Sequence, residues 1–109
     1  SKSIAVLPLK FIGETEKEEA YLSIGLADAM ITKLSQIRRI IVRPTSSILK
    51  FTDYEDAFTV GKELEVDNVL CGTIRKAGER IRVSAQLLDT KTNAAIWSES
   101  FDEKFNDIL

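Results

Sequence analysis

Residues 68–101, NVLCGTIRKAGERIRVSAQLLDTKTNAAIWSESF, constrain the fold of this chain more than any other stretch. They read as three strands joined by two tight turns. From Arg80 to Asp89 the side chains alternate: Ile81, Val83, Ala85 and Leu87 point one way, and Arg80, Arg82, Ser84, Gln86 and Leu88 the other. Residues 69–75 are rich in β-branched and apolar types, and Lys76-Ala77-Gly78-Glu79 interrupts them with a turn signal centred on Gly78. Asp89-Thr90-Lys91-Thr92-Asn93 is a second turn, made of residues that bond their own backbone or tolerate left-handed φ. Ala94 to Phe101 is then a third strand, which puts Ala95, Trp97, Glu99 and Phe101 on one face. A slip of one residue would invert every face, so the apolar pattern fixes the pairing.

The segments before the meander read as the layers packed against it. Ser3 to Leu7 is a continuous apolar run closed by Pro8, the pattern of a strand buried on both faces and hence central. Lys10 to Lys17 reads as a polar loop containing Gly13, and the acidic residues of 14–19 as solvated. A helix over Glu18 to Gln36 follows, with Leu22, Leu26, Met30, Leu34 and Ile37 forming one apolar stripe. Gly25 interrupts it at a cost of about 1 kcal/mol relative to alanine, and marks either close packing or a helix that starts near Ser23 or Gly25. Ile40 to Arg43 is a second strand ended by Pro44. Thr45-Ser46-Ser47 then caps a helical turn through Leu49, ended by Phe51-Thr52-Asp53. A second helix over Tyr54 to Leu64 presents Ala57, Val60, Gly61 and Leu64 on one side.

The element order is therefore β-α-β-α-β-β-β. Right-handed crossovers place the two helices on opposite faces if the first strand is central. The expected fold is a three-layer α/β arrangement with a mixed five-stranded sheet, order 2-1-3-4-5, strand 4 antiparallel to the rest. Phe101, Phe105 and Ile108/Leu109 recur at helical spacing, so residues 101–109 are expected to lead into a third helix over the Trp97 side. The 109 residues are expected to form a single domain that reads as a piece of a larger protein, one that could lack that C-terminal helix.

Composition narrows the function. The content of 44% hydrophobic and 29% charged residues is that of a globular protein. A net charge of −2 argues against direct nucleic-acid binding, which needs a basic surface to displace counterions. With no histidine, Ser-His and Cys-His machinery and histidine-based zinc sites are excluded. Cys71, the one cysteine, sits in an apolar run and reads as a small core residue. No apolar run approaches 20 residues, so neither membrane insertion nor an export signal is expected. No Walker-type loop, acidic metal cluster or paired-carboxylate motif is present, and Asp28 reads as a solvated helix residue. No catalytic residue, cofactor or metal is expected.

Three constellations remain as candidate binding features. Arg43 with Thr45, Ser46 and Ser47 offers charge, hydroxyls and backbone N–H groups to an anion, against the plainer reading of capping. Arg75, Arg80 and Arg82 around the first hairpin could grip a carboxylate or phosphate bidentately, hold single-stranded nucleic acid with Trp97 nearby, or, as the plainer reading, pair across strands with Glu79 and Glu99. Arg82, Gln86, Trp97 and Phe101 are candidate partner-binding residues. Trp97 is either packed half-buried under that third helix, the favoured reading, or the anchor of a protein interface.

The ordered series SIAVLP, GLADAMITKLSQI, RPTSSILKF and VLCGTIRKAGERIRVSAQLLDTKTNAAIWSESFDEKF resembles the TolB amino-terminal-like domain over essentially the whole chain. Its most specific part is G-T-I-R…G-x-R-I-R-V-x-A-Q-L-x-D with the later I-W-x-E-x-F-D. The sequence departs from the pattern at Ile24, where an acidic residue is common, and in the length and composition of 52–59. The resemblance implies a fold similar to the anticodon-binding-domain type and a bacterial module fused to adenylate or guanylate cyclases, winged-helix activators, kinases or tetratricopeptide-repeat (TPR) regions. It carries no catalytic residues over. The expected function is a non-catalytic regulatory or sensory protein-interaction module, and the alternative is a small anionic-ligand sensor. Its expected partners are a neighbouring effector or TPR domain of the same chain, or a second copy in a homodimer. Its compartment, cytoplasmic or periplasmic, would follow the parent architecture.

Overall fold

The computed structural model describes residues 2–13 and 17–104. Six strands and three helices run in the order β1 (Lys2–Val6), β2 (Lys10–Ile12), α1 (Lys17–Leu34), β3 (Ile40–Val42), α2 (Thr45–Ile48), α3 (Ala57–Glu63), β4 (Asn68–Ala77), β5 (Arg80–Asp89) and β6 (Ala94–Lys104). A 3-10 turn, Leu49–Phe51, follows α2. All strands join one mixed sheet of order β3-β1-β4-β5-β6. β1 pairs parallel with β3 and β4, while β5 is antiparallel to β4 and β6. This is the expected order with its antiparallel fourth member.

The expected five strands become six. Lys10–Ile12, expected as loop, pairs parallel with β4 as Lys10↔Thr73, Phe11↔Ile74 and Ile12↔Arg75. It continues the track of β1 after the break at Pro8, where the ring removes a ladder donor. A three-residue strand between Pro8 and Gly13 is too short for a periodic signal, so the sequence reads there as a connection.

β1 is central because both its faces are covered. Ala5 and Leu7 are wholly buried and Val6 nearly so. The two helical layers can be placed by parity on β4. Leu22 of α1 shares a cluster with Ile74 and Ile81, while Gly61 of α3 lies against Val69 and Thr90. Val69 and Ile74 are an odd number of residues apart, hence on opposite faces. The helices therefore flank the sheet, as right-handed crossovers in opposite directions require.

Several local expectations change. Ala27 and Ile31 form the buried centre of α1, with Leu26, Met30 and Leu34 partly buried beside them. Ile37 lies beyond the helix end and is exposed. Gly25 is mid-helix with open space around it, so it marks neither a start nor a close approach. α3 starts at Ala57 rather than Tyr54, because the Asp56 carboxylate accepts from the Phe58 N–H (3.1 Å) and the Thr59 hydroxyl (2.7 Å). It ends with Glu65 at φ 56°, the Val66 N–H donating to the Gly61 carbonyl and the Glu65 N–H to that of Lys62. Thr45 opens α2, yet no side chain caps that helix; Pro44 occupies the cap position.

The meander is longer than its alternation suggested. β6 continues through Lys104, so residues 101–104 are strand and not the start of a helix; 105–109 lie outside the described residues. A bulge also divides β6, since Leu87 faces Trp97 whereas the next residue, Leu88, faces Ala95. Ala95 thus lies on the face opposite Trp97, Glu99 and Phe101, not with them. The extra residue, Ile96, shifts the parity of all that follows. Asn93, at φ 55°, and Gly78, at φ 62°, take the left-handed conformations that the two turns demand.

A polar clasp joins the first strand to the meander. The Asp67 carboxylate accepts from the Ser3 N–H (3.0 Å) and hydroxyl (3.1 Å), and the Asp67 N–H returns to Ser3 Oγ (2.9 Å). Buried Thr90 closes the other side, donating its hydroxyl to the Val66 carbonyl (2.7 Å) and its N–H to that of Asp67 (3.0 Å). The Ser3 hydrogen bonds first, and then Lys91 and Lys2, hold the Asp67 carboxyl below the usual carboxylate range. A depressed folded value contributes stability that is present above about pH 4 and lost as pH falls through the folded value. Urea unfolding between pH 6 and pH 2.5 is expected to show a shallower acid loss in Asp67→Asn than in wild type; equal slopes would remove Asp67 from the acid response.

Two glycines should respond in opposite directions. A methyl on Gly72 would run into the Ser84 carbonyl oxygen and the Ala85 Cα across the β4–β5 ladder. Gly72→Ala is expected to destabilise by about 1–3 kcal/mol or more. Gly25→Ala meets nothing and replaces the poorest tolerated helix interior, so a gain of about 0.5–1 kcal/mol is expected. Denaturant midpoints of the two variants check both signs.

Candidate functional site

The β4–β6 meander extends beyond the helices, and its two faces carry different chemistry. On the α1 side, cross-strand partners share a face, so Leu70, Leu87 and Trp97 align, as do Ile74, Val83 and Phe101. Leu26 and Met30 of α1 lean over the near part of this surface. Between them runs an open groove of ≈ 380 Å³, lined by Leu9, Leu26, Met30, Val83, Ala85, Trp97 and Phe101, with Glu103 at its rim. Helix α1 reaches β4 and β5 but not the edge. Trp97 therefore stays 43% exposed and Phe101 47% exposed, in neither of the two core clusters. Trp97, read as packing half-buried beneath a further helix or as an interface anchor, stands half-open on the edge strand.

The opposite face is polar. Arg82 donates bidentately to Asp102, Nε to Oδ1 at 2.8 Å and a terminal nitrogen to Oδ2 at 3.0 Å. This pair raises the Arg82 pKa and holds the Asp102 carboxyl below its usual range. The partner of Arg82 is thus Asp102 and not Glu79 or Glu99; Glu99 lies on the apolar face, opposite Ala85. Ser84 and Ser100 share a hydrogen bond of 3.0 Å, and Gln86 stands across from Ser98. Of the four partner-binding candidates, Arg82 and Gln86 belong to this face, and Trp97 and Phe101 to the other. The structure does not join them into one surface.

The anion-binding candidates do not converge either. Arg43 turns its Nε to the Leu64 carbonyl (3.1 Å) at the end of α3, fastening β3 to that helix. The Thr45 hydroxyl donates to Asp28 Oδ1 at 2.6 Å, so a carboxylate already stands where an anion would approach. The Ser47 N–H is bound to the Pro44 carbonyl, and Ser46 is exposed. Asp28, expected to be solvated, is exposed but ties α1 to α2 through Thr45.

One cluster carried no sequence signal. Lys10 lies with its ammonium 4.1 Å from the Tyr54 ring centroid and donates to the Tyr54 carbonyl. Together with Cys71, Thr73, Ser84, Gln86 and Ser98 they border a hollow of ≈ 240 Å³. Burial pushes the Tyr54 phenol and the Cys71 thiol above their ordinary values, so both stay protonated and unreactive near neutrality. Lys10 had looked like loop and Tyr54 like a helix start, and only the β2–β4 pairing brings them together. Among the described residues, no group of three His, Cys, Asp or Glu side chains is placed to hold a metal ion, and no helix is long and apolar enough to cross a membrane.

Comparison with known proteins places this geometry. A protein of Rhizobium meliloti (strain 1021) that bears the name adenylate cyclase 3 is 35% identical over 108 residues, 98% of this chain; the chain spans 18% of that protein's length. Among solved structures, lipoprotein GNA1162 from Neisseria meningitidis superposes with a TM-score of 0.72 at 17% identity, over 97% of this chain and 85% of its own. TolB from Acinetobacter baumannii does so at 0.65 and 15% identity, over 99% of this chain and 24% of its own. These likenesses establish a TolB-like fold. The model of one family, the second domain of HilA/YgeH-like transcriptional regulators, matches residues 1–108. The chain accordingly belongs to that family of regulator domains.

Proposed function

We propose that this is a non-catalytic regulatory module of the TolB amino-terminal-like class, a single domain that docks through its α1-side groove onto a neighbouring domain of the same chain. The observation that carries the reading is the groove itself: an apolar surface ending in half-exposed Trp97 and Phe101. Aromatic anchors beside a concave apolar surface are the usual energetic centre of a protein interface. The family's regulators and the cyclase-named relative support a module set beside different effectors. The groove lining holds two titratable side chains, Cys71 and Glu103, and burial keeps the Cys71 thiol protonated, so no nucleophile–base pair is supplied and its chemistry is that of contact rather than catalysis.

Hydrogen exchange on the parent protein and on this domain alone tests the reading. Amides of α1 and of 96–101 are expected to be better protected in the parent, and Trp97→Ser with Phe101→Ser to abolish the difference. Hot-spot aromatics contribute about 2 kcal/mol or more each, so the loss should be evident. Equal protection in both contexts would sink intramolecular docking. If the domain alone dimerises on sedimentation and the double variant does not, the occupant is a second copy instead.

A further inference from the structure

The polar face ends, at the β4–β5 hairpin, in a concentration of positive charge. Arg75 stands directly across from Arg82, and Arg80 directly across from Lys104. Like charges facing each other on a ladder weaken a sheet, so the arrangement works against the fold that contains it. One acid answers them. Asp102 takes Arg82 bidentately and feels Arg80 at longer range, while Arg75 has no acid partner among the described residues. The arginines and Asp102 line a hollow of ≈ 450 Å³, within the size range of small-molecule pockets, about 300–1,000 Å³. Its lining carries two more positive charges than negative, in a chain whose own net charge is −2.

We propose that Arg75, Arg80 and Arg82 form a site for a small polyvalent oxyanion, of the pyrophosphate or tricarboxylate kind, at the hairpin end of the sheet. The Asp102 pair holds Arg82 in place while using two of its five N–H donors, so three remain for a ligand. Arg75 and Arg80 add exposed guanidinium forks from the same face. The positive potential is local. The next positions of β4–β6 along this face are Thr73, Ser84, Ser100, Gln86 and Ser98, none charged, and Lys10 beside Thr73 is already committed to Tyr54, so there is no continuous basic track for a nucleic-acid backbone. This site lies on the face opposite the docking groove and stands or falls independently of it.

NMR titration of the 109-residue chain at low salt, with pyrophosphate and in parallel with citrate, tests the site. Saturable shifts are expected for amides of 75–82 and 102–104, weakening as salt is added. Arg75→Gln should weaken binding about tenfold or more, and Arg75→Lys less, as expected for a lost charge-assisted hydrogen bond. The melting temperature of Arg75→Gln should be unchanged or raised, because a repulsive rung is relieved; a loss of binding would then be no consequence of unfolding. A response to only one probe identifies the chemistry within the class. No saturable shift with either probe at 10 mM, on the scale of weak cellular binding, or equal binding by wild type and Arg75→Gln, would overturn the proposal.

Discussion

The Asp67 carboxylate and the Ser3 backbone and hydroxyl form the hinge on which this architecture turns. A parallel sheet needs its strands brought together across long connections, here a sequence separation of 64 from Ser3 to Asp67. Closing such a loop costs entropy, and the contacts that hold it closed must be specific as well as apolar. Three hydrogen bonds between two side chains and their own backbones set the offset of β1 against β4, from which Ile4↔Asn68, Ala5↔Val69 and Val6↔Leu70 follow. Thr90 then locks the β5–β6 turn to the same junction, where its methyl also touches the space over Gly61. Sheet order, register and the seating of α3 therefore converge on one small polar knot inside an apolar surround.

Much of this was legible in the chain itself, for identifiable reasons. The unbroken apolar run of Ser3 to Leu7 announced a strand covered on both faces, and the alternation through Arg80–Asp89 announced one covered on a single face. Crossover handedness did the rest. What escaped were features set by tertiary pairing. Lys10–Ile12 is a strand only because β4 is long enough to offer it an edge beyond Pro8. The bulge at Ile96 left no trace in the spacing, because Ala95 and Trp97 look equally at home on one face until their partners are known. Asp67, the residue on which the junction depends, stands between two elements in the sequence and belongs to no motif.

The candidate site was legible by residue but not by arrangement. Trp97 and Phe101 stood out as apolar aromatics, and Arg82 and Gln86 as polar residues of the neighbouring strand. A sequence lists them in one stretch, whereas a sheet sorts them onto two surfaces about one backbone thickness apart. Arg43 and the Thr45–Ser47 segment show the converse. Adjacent in sequence, they turn to different partners, Leu64 and Asp28, because one is the end of a strand and the other the start of a helix. The family of the domain places both surfaces within larger regulators, where one could meet a neighbour while the other stays open to solvent.

The bulge also gives β6 one residue of slack. Every pair on the Trp97 side and every pair on the Ala95 side is already in step with β5, and Ile96 alone lies between them. Loss of that residue would leave both sets of partners intact and simply straighten the strand. Loss of a residue from 98 to 100 would instead put Trp97 and Phe101 on opposite faces, leaving one of them among the hydroxyls. Length variation among related domains is thus tolerable at one point of this strand and ruinous just beyond it, so a gap at that point in an alignment would signal conserved architecture, not a broken match.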